Sequence, residues 1–218
     1  MKDSAIHPVV QILRRATRAW RTPYVTELSQ QRRAPFHILI STILSLRTKD
    51  AVTAAASQRL FALADTPATI LKLTPRQIEK AIYPVGFYHV KARNILKVCR
   101  ALIEESAGRV PDEIDELVKL PGVGRKTANL VVTLGFGKPG ICVDTHVHRI
   151  TNRWGYVQTK TPEQTEMALR EKLPRAYWIE INDELVALGQ NICHPVSPKC
   201  SLCPIRQYCD RVGVTRSR

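Results

Sequence analysis

Apolar residues recur along this chain mainly at helical spacing, and alternating strand-like runs hardly appear. Residues 50–61 set Val52, Ala55, Ala56, Leu60 and Phe61 largely along one helical stripe. Three Thr-Pro pairs, Thr66-Pro67, Thr74-Pro75 and Thr161-Pro162, read as an N-cap followed by proline at the first helical position. Gln77 and Gln164 stand three residues after the second and third threonines and complete a capping-box pattern. Pro111, Asp112 and Glu113 open a further helix that buries Ile114, Leu117, Val118 and Leu120 and stops at Pro121-Gly122. Helix resumes from about Arg125 to Leu134, with Ala128, Leu130, Val131 and Leu134 inward. Gly135, Gly137, Pro139 and Gly140 then mark a boundary. Another helix starts near Asp144 and carries Val147 and Ile150 inward, while residues 211–218 read as an unfolded tail. The pattern predicts an all-α protein.

Composition narrows the class. Lys and Arg number 33 against 19 Asp and Glu in 218 residues, a formal charge of +14. Such a surplus favours a polyanionic partner, and basic stretches such as RRATRAWR and YHVKARNILKVCR point to nucleic acid. The first twenty residues lack the apolar core of a signal peptide. The densest apolar run, residues 36–46, contains His37, Ser41, Thr42 and Ser45 and is too short to span a bilayer. A cytoplasmic or nucleoid-associated protein without membrane attachment is expected.

Four of the six cysteines crowd into CHPVSPKCSLCPIRQYC as Cys193, Cys200, Cys203 and Cys209, with six, two and five residues between them. Without a secretion signal this reads as a metal site rather than a disulfide framework. Four thiolates hold either one zinc or the corners of an iron–sulfur cubane, and spacing alone does not choose. Cys99 and Cys142 sit among apolar neighbours and read as ordinary packed thiols.

The stretch LPGVGRKTAN, residues 120–129, raises the question of phosphate binding. A Walker loop needs four residues between its glycines and a preceding strand; here the glycines are two apart and helix precedes them. A backbone clamp fits better. Gly122 and Gly124 permit a tight turn and close approach, while amides of Val123, Gly124 and Arg125 face an anion at a helix start. A purely structural turn between two helices is the alternative.

LPGVGRKTAN resembles the helix-hairpin-helix of endonuclease III-like DNA glycosylases, and VDTHVHR, residues 143–149, resembles the aspartate motif that follows it. The resemblance extends over about residues 36–209, through ILSLRTKD, GFYHVKARNI and the cysteine cluster. It implies a two-lobed fold with duplex DNA crossing between a six-helix domain, residues 27–138, and a discontinuous domain of residues 1–26 and 139–218. It also implies a monomer with no obligate protein partner, and a [4Fe-4S] cluster on the four cysteines that braces a loop.

The implied activity is release of oxidised pyrimidines followed by β-elimination at the abasic site, in base excision repair of damaged double-stranded DNA. Lys126 is the implied nucleophile, which requires a neutral amine and hence desolvation or a neighbouring cation. Asp144 is implied to stabilise the sugar cation or orient the nucleophile; read from the residues, it is equally an N-cap of the following helix. His146 supports the site or approaches phosphate.

The family places a glutamine where this chain has Arg47, so a wedge role there stands beside a simple phosphate contact. Lys91 is expected to touch DNA. Phe87 is either part of a damaged-base pocket or core. The competing functions are a non-catalytic helix-hairpin-helix DNA-binding protein and a mismatch- or purine-specific glycosylase.

Overall fold

The computed structural model describes residues 1–20 and 23–218; Arg21, which ends the basic stretch RRATRAWR, and Thr22 lie outside the described residues. Among those residues the regular structure is entirely helical. The helices are α1 (Ile6–Thr17), α2 (Tyr24–Gln30), α3 (Pro35–Ser45), α4 (Asp50–Leu63), α5 (Pro67–Ile70), α6 (Pro75–Ile82), α7 (Tyr88–Ser106), α8 (Ile114–Leu117), α9 (Arg125–Leu130), α10 (Thr145–Arg153), α11 (Pro162–Lys172) and α12 (Ile181–Asn191). None is long and apolar enough to cross a membrane. The chain forms two compact units, one of Met1–Thr22 with Ile141–Arg218 and the other of Pro23–Gly140.

The unit of residues 23–140 is built around α3. Phe36 and all residues from Ile38 to Leu44 are buried there, so this helix is apolar on nearly every side because neighbours cover it all round. It packs against α2, α4, α7 and α9. The stripe buried by α4 is Thr53, Ala56, Ser57 and Leu60, whereas Ala55, expected inside, is exposed. Small hydroxyls serve at that contact because α4 lies close to α3 and α6, which a larger side chain would prevent.

The capping signals are realised at α5, α6 and α11. Thr74 Oγ1 accepts from Gln77 N at 3.3 Å, and Gln77 Oε1 accepts from Thr74 N at 2.8 Å. Thr161 Oγ1 accepts from Gln164 N, but Gln164 Oε1 accepts from Lys160 N instead of closing the box. Thr66 and Thr69 form a box that a search for Gln or Glu misses. The helix expected from Pro111 is only the single turn α8, with Leu117 and Leu120 buried and Ile114 and Val118 half-buried. Beyond α9 the chain widens into a π-helical turn, Val131–Gly135, before the glycine-rich boundary.

In the other unit, Val9, Val10 and Leu13 of α1 pack with Val147 and Ile150 of α10 and Leu185 and Leu188 of α12. The segment 211–218, expected to be unfolded, is tied down without regular structure. Val212 N donates to Arg153 O at 3.0 Å, Arg218 N to Pro198 O at 2.8 Å, and Ser201 N to Arg218 O at 2.9 Å. Periodicity carries no signal for such a strap, since its bonds run to distant loops.

Candidate active site

The hairpin between α8 and α9 is fixed by its own residues. Val123 is buried in the core and its amide donates to Leu120 O at 3.0 Å; this amide, expected to face an anion, therefore closes the turn instead. Gly122 has φ +79°, and a Cβ there would lie 2.7 Å from Asn94 Nδ2. Glycine is required at 122 by the fold itself.

Gly124 differs. Its φ of −94° suits any residue, and a Cβ placed there would meet nothing within 4 Å. As the N-cap of α9 it also supplies no side-chain acceptor to the first helical turn. Lys126, the second residue of α9, is exposed and Arg125 half-buried. This turn presents open backbone, the positive end of a helix and a lysine together.

Asp144 lies in the other unit and is 8% exposed. Its Oδ1 accepts from His146 N at 2.8 Å and Val147 N at 2.9 Å, so the aspartate is indeed the N-cap of α10. Two amide donors hold the carboxylate in one orientation, the preorganisation that electrostatic catalysis needs. His146 is turned inward. It packs against Gly189 of α12, where any Cβ would clash with its ring, and its Nδ1 sits 3.0 Å from Arg149 Nη2. Arg149 Nη2 in turn donates to Cys193 O at 2.8 Å, which makes His146 part of an internal chain of contacts. His148 Nδ1 pairs with Thr165 Oγ1 at 2.7 Å and is likewise committed within the unit.

Lys91, expected at the DNA surface, is a buried group with internal partners. It is 6% exposed, and its Nζ donates to Leu44 O at 2.8 Å, Leu46 O at 2.6 Å and Thr48 Oγ1 at 3.2 Å. Burial pulls its pKa down to about 8. The lysine takes this place because α3 ends at Ser45 with no backbone cap at Leu46, leaving terminal carbonyls that need a donor.

What emerges beside it is a pair of loop tips. Arg47 (φ +53°) and Phe87 (φ +58°) are both left-handed and exposed, and the Arg47 guanidinium lies 5.6 Å from the centre of the Phe87 ring. Phe87 is 60% exposed, so it is not core. Its signal in the sequence was only a glycine followed by aromatics, which fits core equally well.

The four clustered cysteines line one cavity, together with Arg153, Arg206, Leu188 and Ile192. All are half-buried free thiols. Among the described residues no trio of His, Cys, Asp or Glu is placed to hold a single metal ion. Burial pushes the Cys203 thiol up to about 11, with Cys209, Cys193 and Cys200 adding to the rise. Four free thiols around one cavity match the four-thiolate donor set of an iron–sulfur group. Arg153, the last residue of α10, donates to Cys193 Sγ at 3.4 Å, His194 O at 2.7 Å and Pro195 O at 2.6 Å, seating this loop on the helix that Asp144 opens.

Comparison with known proteins agrees with both parts. Residues 40–175 match the HhH-GPD superfamily base excision DNA repair protein family, and residues 193–209 match the iron-sulfur binding domain of endonuclease III. Endonuclease III of Thermotoga maritima is 49% identical over 176 residues, spanning 81% of this chain and 83% of that protein. A non-covalent endonuclease III–DNA complex aligns with a TM-score of 0.86 at 34% identity, covering 97% of this chain and 96% of that one. A trapped endonuclease III–DNA covalent intermediate aligns with a TM-score of 0.77 at 39% identity, covering 82% and 84%. With an all-α two-lobed helix-hairpin-helix fold and an iron–sulfur-binding loop, this chain belongs to the endonuclease III family of HhH-GPD base excision repair enzymes.

Proposed function

We propose that this chain binds duplex DNA through its hairpin, removes oxidised pyrimidines with Lys126 as nucleophile, and then cleaves the abasic strand. The bifunctional glycosylase and AP lyase activity is that of the family; the residue roles and the lesion class are the proposal. The observation that carries it is Gly124, whose conformation does not demand glycine and whose surroundings are empty, beside an exposed lysine. Space kept clear outside the fold serves something that arrives from outside it, and the first amides of α9 suit a DNA phosphate.

A base stacked in the duplex shields its sugar, so the nucleotide is first extruded, at a cost of a few kcal/mol. Arg47 and Phe87 are the tips placed to occupy the space it leaves. Lys126 is exposed, so water around its amine is displaced only as the substrate covers it. The neutral amine attacks C1′, the bond from C1′ to the base breaks, and the base departs with that electron pair and takes a proton. The sugar ring opens as the amine nitrogen forms an imine to C1′ and O4′ leaves as a hydroxyl. Loss of a C2′ proton then expels the 3′ phosphate, and water hydrolyses the imine to free Lys126.

Asp144 is assigned the stabilisation of positive charge on the sugar, a task suited to a carboxylate fixed by two amides. Cys193, Cys200, Cys203 and Cys209 are assigned to a [4Fe-4S] cluster. When bound, it supplies four iron–sulfur bonds that staple residues 193–209, and no step of the chemistry runs through it.

Borohydride added during reaction with abasic duplex reduces the imine and leaves enzyme covalently on DNA. Lys126→Ala abolishes this adduct and strand cleavage while duplex binding persists. Binding without an adduct by the native chain would establish a non-catalytic DNA-binding protein instead.

A further inference from the structure

The tips Arg47 and Phe87 stand on two separate loops, one after α3 and one before α7. A polar clasp of the buried Lys91 with the half-buried Thr48 and Gly86 joins those loops. Thr48 Oγ1 accepts from Lys91 Nζ and from Gly86 N, each at 3.2 Å, and donates to Leu46 O at 3.3 Å. Lys91 closes the same loop from beneath through Leu44 O and Leu46 O. Gly86 lets the loops touch, since a Cβ there would lie 2.6 Å from Arg47 O. The two carbonyls explain a donor at the end of α3, and the bond to Thr48 extends that donor to the loop that carries Phe87 through Gly86 N; burying an ammonium is costly unless its acceptors are fixed.

We propose that Lys91 is a positioning residue: with Thr48 and Gly86 it locks the Arg47 and Phe87 loops together, so that both tips enter the duplex as one preset unit. This rests on the reading of Arg47 and Phe87 as the groups that fill the vacated stack. A tip that must find its place after binding loses the benefit of preorganisation, whereas a preset pair does not. The role belongs to base extrusion from a duplex. A single-stranded abasic site has no stack to refill and no opposing base, so its cleavage does not draw on the clasp.

The test compares two substrates under single-turnover conditions: a duplex with one oxidised pyrimidine, and a single strand with one abasic site. Lys91→Met lowers the duplex rate relative to the single-strand rate by roughly 10- to 100-fold, the scale of an ångström-sized misplacement. Gly86→Ala, which forces the loops apart without touching the lysine, reproduces that change in ratio, and it decides the matter alone if Lys91→Met does not fold. Both variants also flatten the dependence of the duplex rate on the opposing base, which a general loss of stability would not do.

Equal losses on the two substrates, or an unchanged ratio in both variants, would overturn the proposal. Arg47→Ala and Phe87→Ala separate the two layers of the argument. If they leave duplex excision intact, the tip reading fails and takes the clasp with it. If they reduce it while Lys91→Met and Gly86→Ala do not, the clasp alone is wrong.

Discussion

Two glycines separated by one residue answer to different forces. At Gly122 a side chain meets both a left-handed backbone and Asn94 Nδ2, so Gly122→Ala lowers stability by roughly 1–2 kcal/mol or more. At Gly124 neither penalty exists, and Gly124→Ala melts within about 0.5 kcal/mol of the native chain. Its effect falls on DNA: obstructing one charge-assisted phosphate contact weakens binding roughly tenfold, while the salt slope stays nearly the same because no cation is removed. Melting curves and duplex titrations at several salt concentrations check both, and a Gly124→Ala chain that binds normally would remove the support for the phosphate clamp. The sequence showed the spacing of these glycines but not their division of labour, because the clash at 122 comes from Asn94 on another helix.

His37 is a second case in which the residue alone is mute. Burial holds its pKa below the ordinary 6.5, its ring meets Phe61 edge-on at 4.4 Å, and Nδ1 has no hydrogen-bond partner. The unfolded chain takes up a proton near 6.5 while the native state resists, so stability is lost as pH falls from 6.5 toward the lower native value. His37→Phe removes that acid-side slope, measured as the melting temperature across pH 5–7.

At the scale of elements, α10 joins an observed helix cap to a proposed catalytic charge in one aspartate. Asp144 caps the helix through Oδ1, and asparagine caps about as well. Asp144→Asn therefore keeps the helix and the melting temperature while its excision rate falls on the order of 10²-fold or more, since the neutral amide lacks the charge. Asp144→Ala loses the chemistry and also about 1 kcal/mol of capping. An asparagine variant as active as the native enzyme would reduce Asp144 to a cap, the reading that the residue pattern alone kept open.

Legibility varied in the same way among the other elements. Thr-Pro starts and the glycine-rich stop were readable because capping is local. The extent of α8 and the inward face of α4 were not, since packing against neighbouring helices decided them. Lys91 was not legible either: a basic residue in a basic stretch is buried and donates to the carbonyls that end a helix.

For the molecule as a whole, the question is how far the cysteine loop's order depends on its metal. No periodicity tells a helix at residues 6–17 that its partner is α12, yet that contact builds the core in which Ile150 and Leu185 are also buried. This core does not need iron. Residues 193–218 have far less of their own: Ile205 is buried, Arg153 holds two carbonyls, and the last residues strap back onto Pro198 and Ser201. On the proposed assignment, four metal–thiolate bonds would supply the remaining order.

Cys203→Ser, purified without iron, is accordingly expected to lose its visible absorption and to become cleavable by protease within residues 193–218. The helices of both units persist by circular dichroism, and the fragment of residues 23–140 stays protected because it has a hydrophobic core of its own. Unfolding of the whole chain would show that the cluster supports the core of its unit. Unchanged protection would show that the strap alone suffices, and that the four cysteines, however well placed around their cavity, are not what holds the loop.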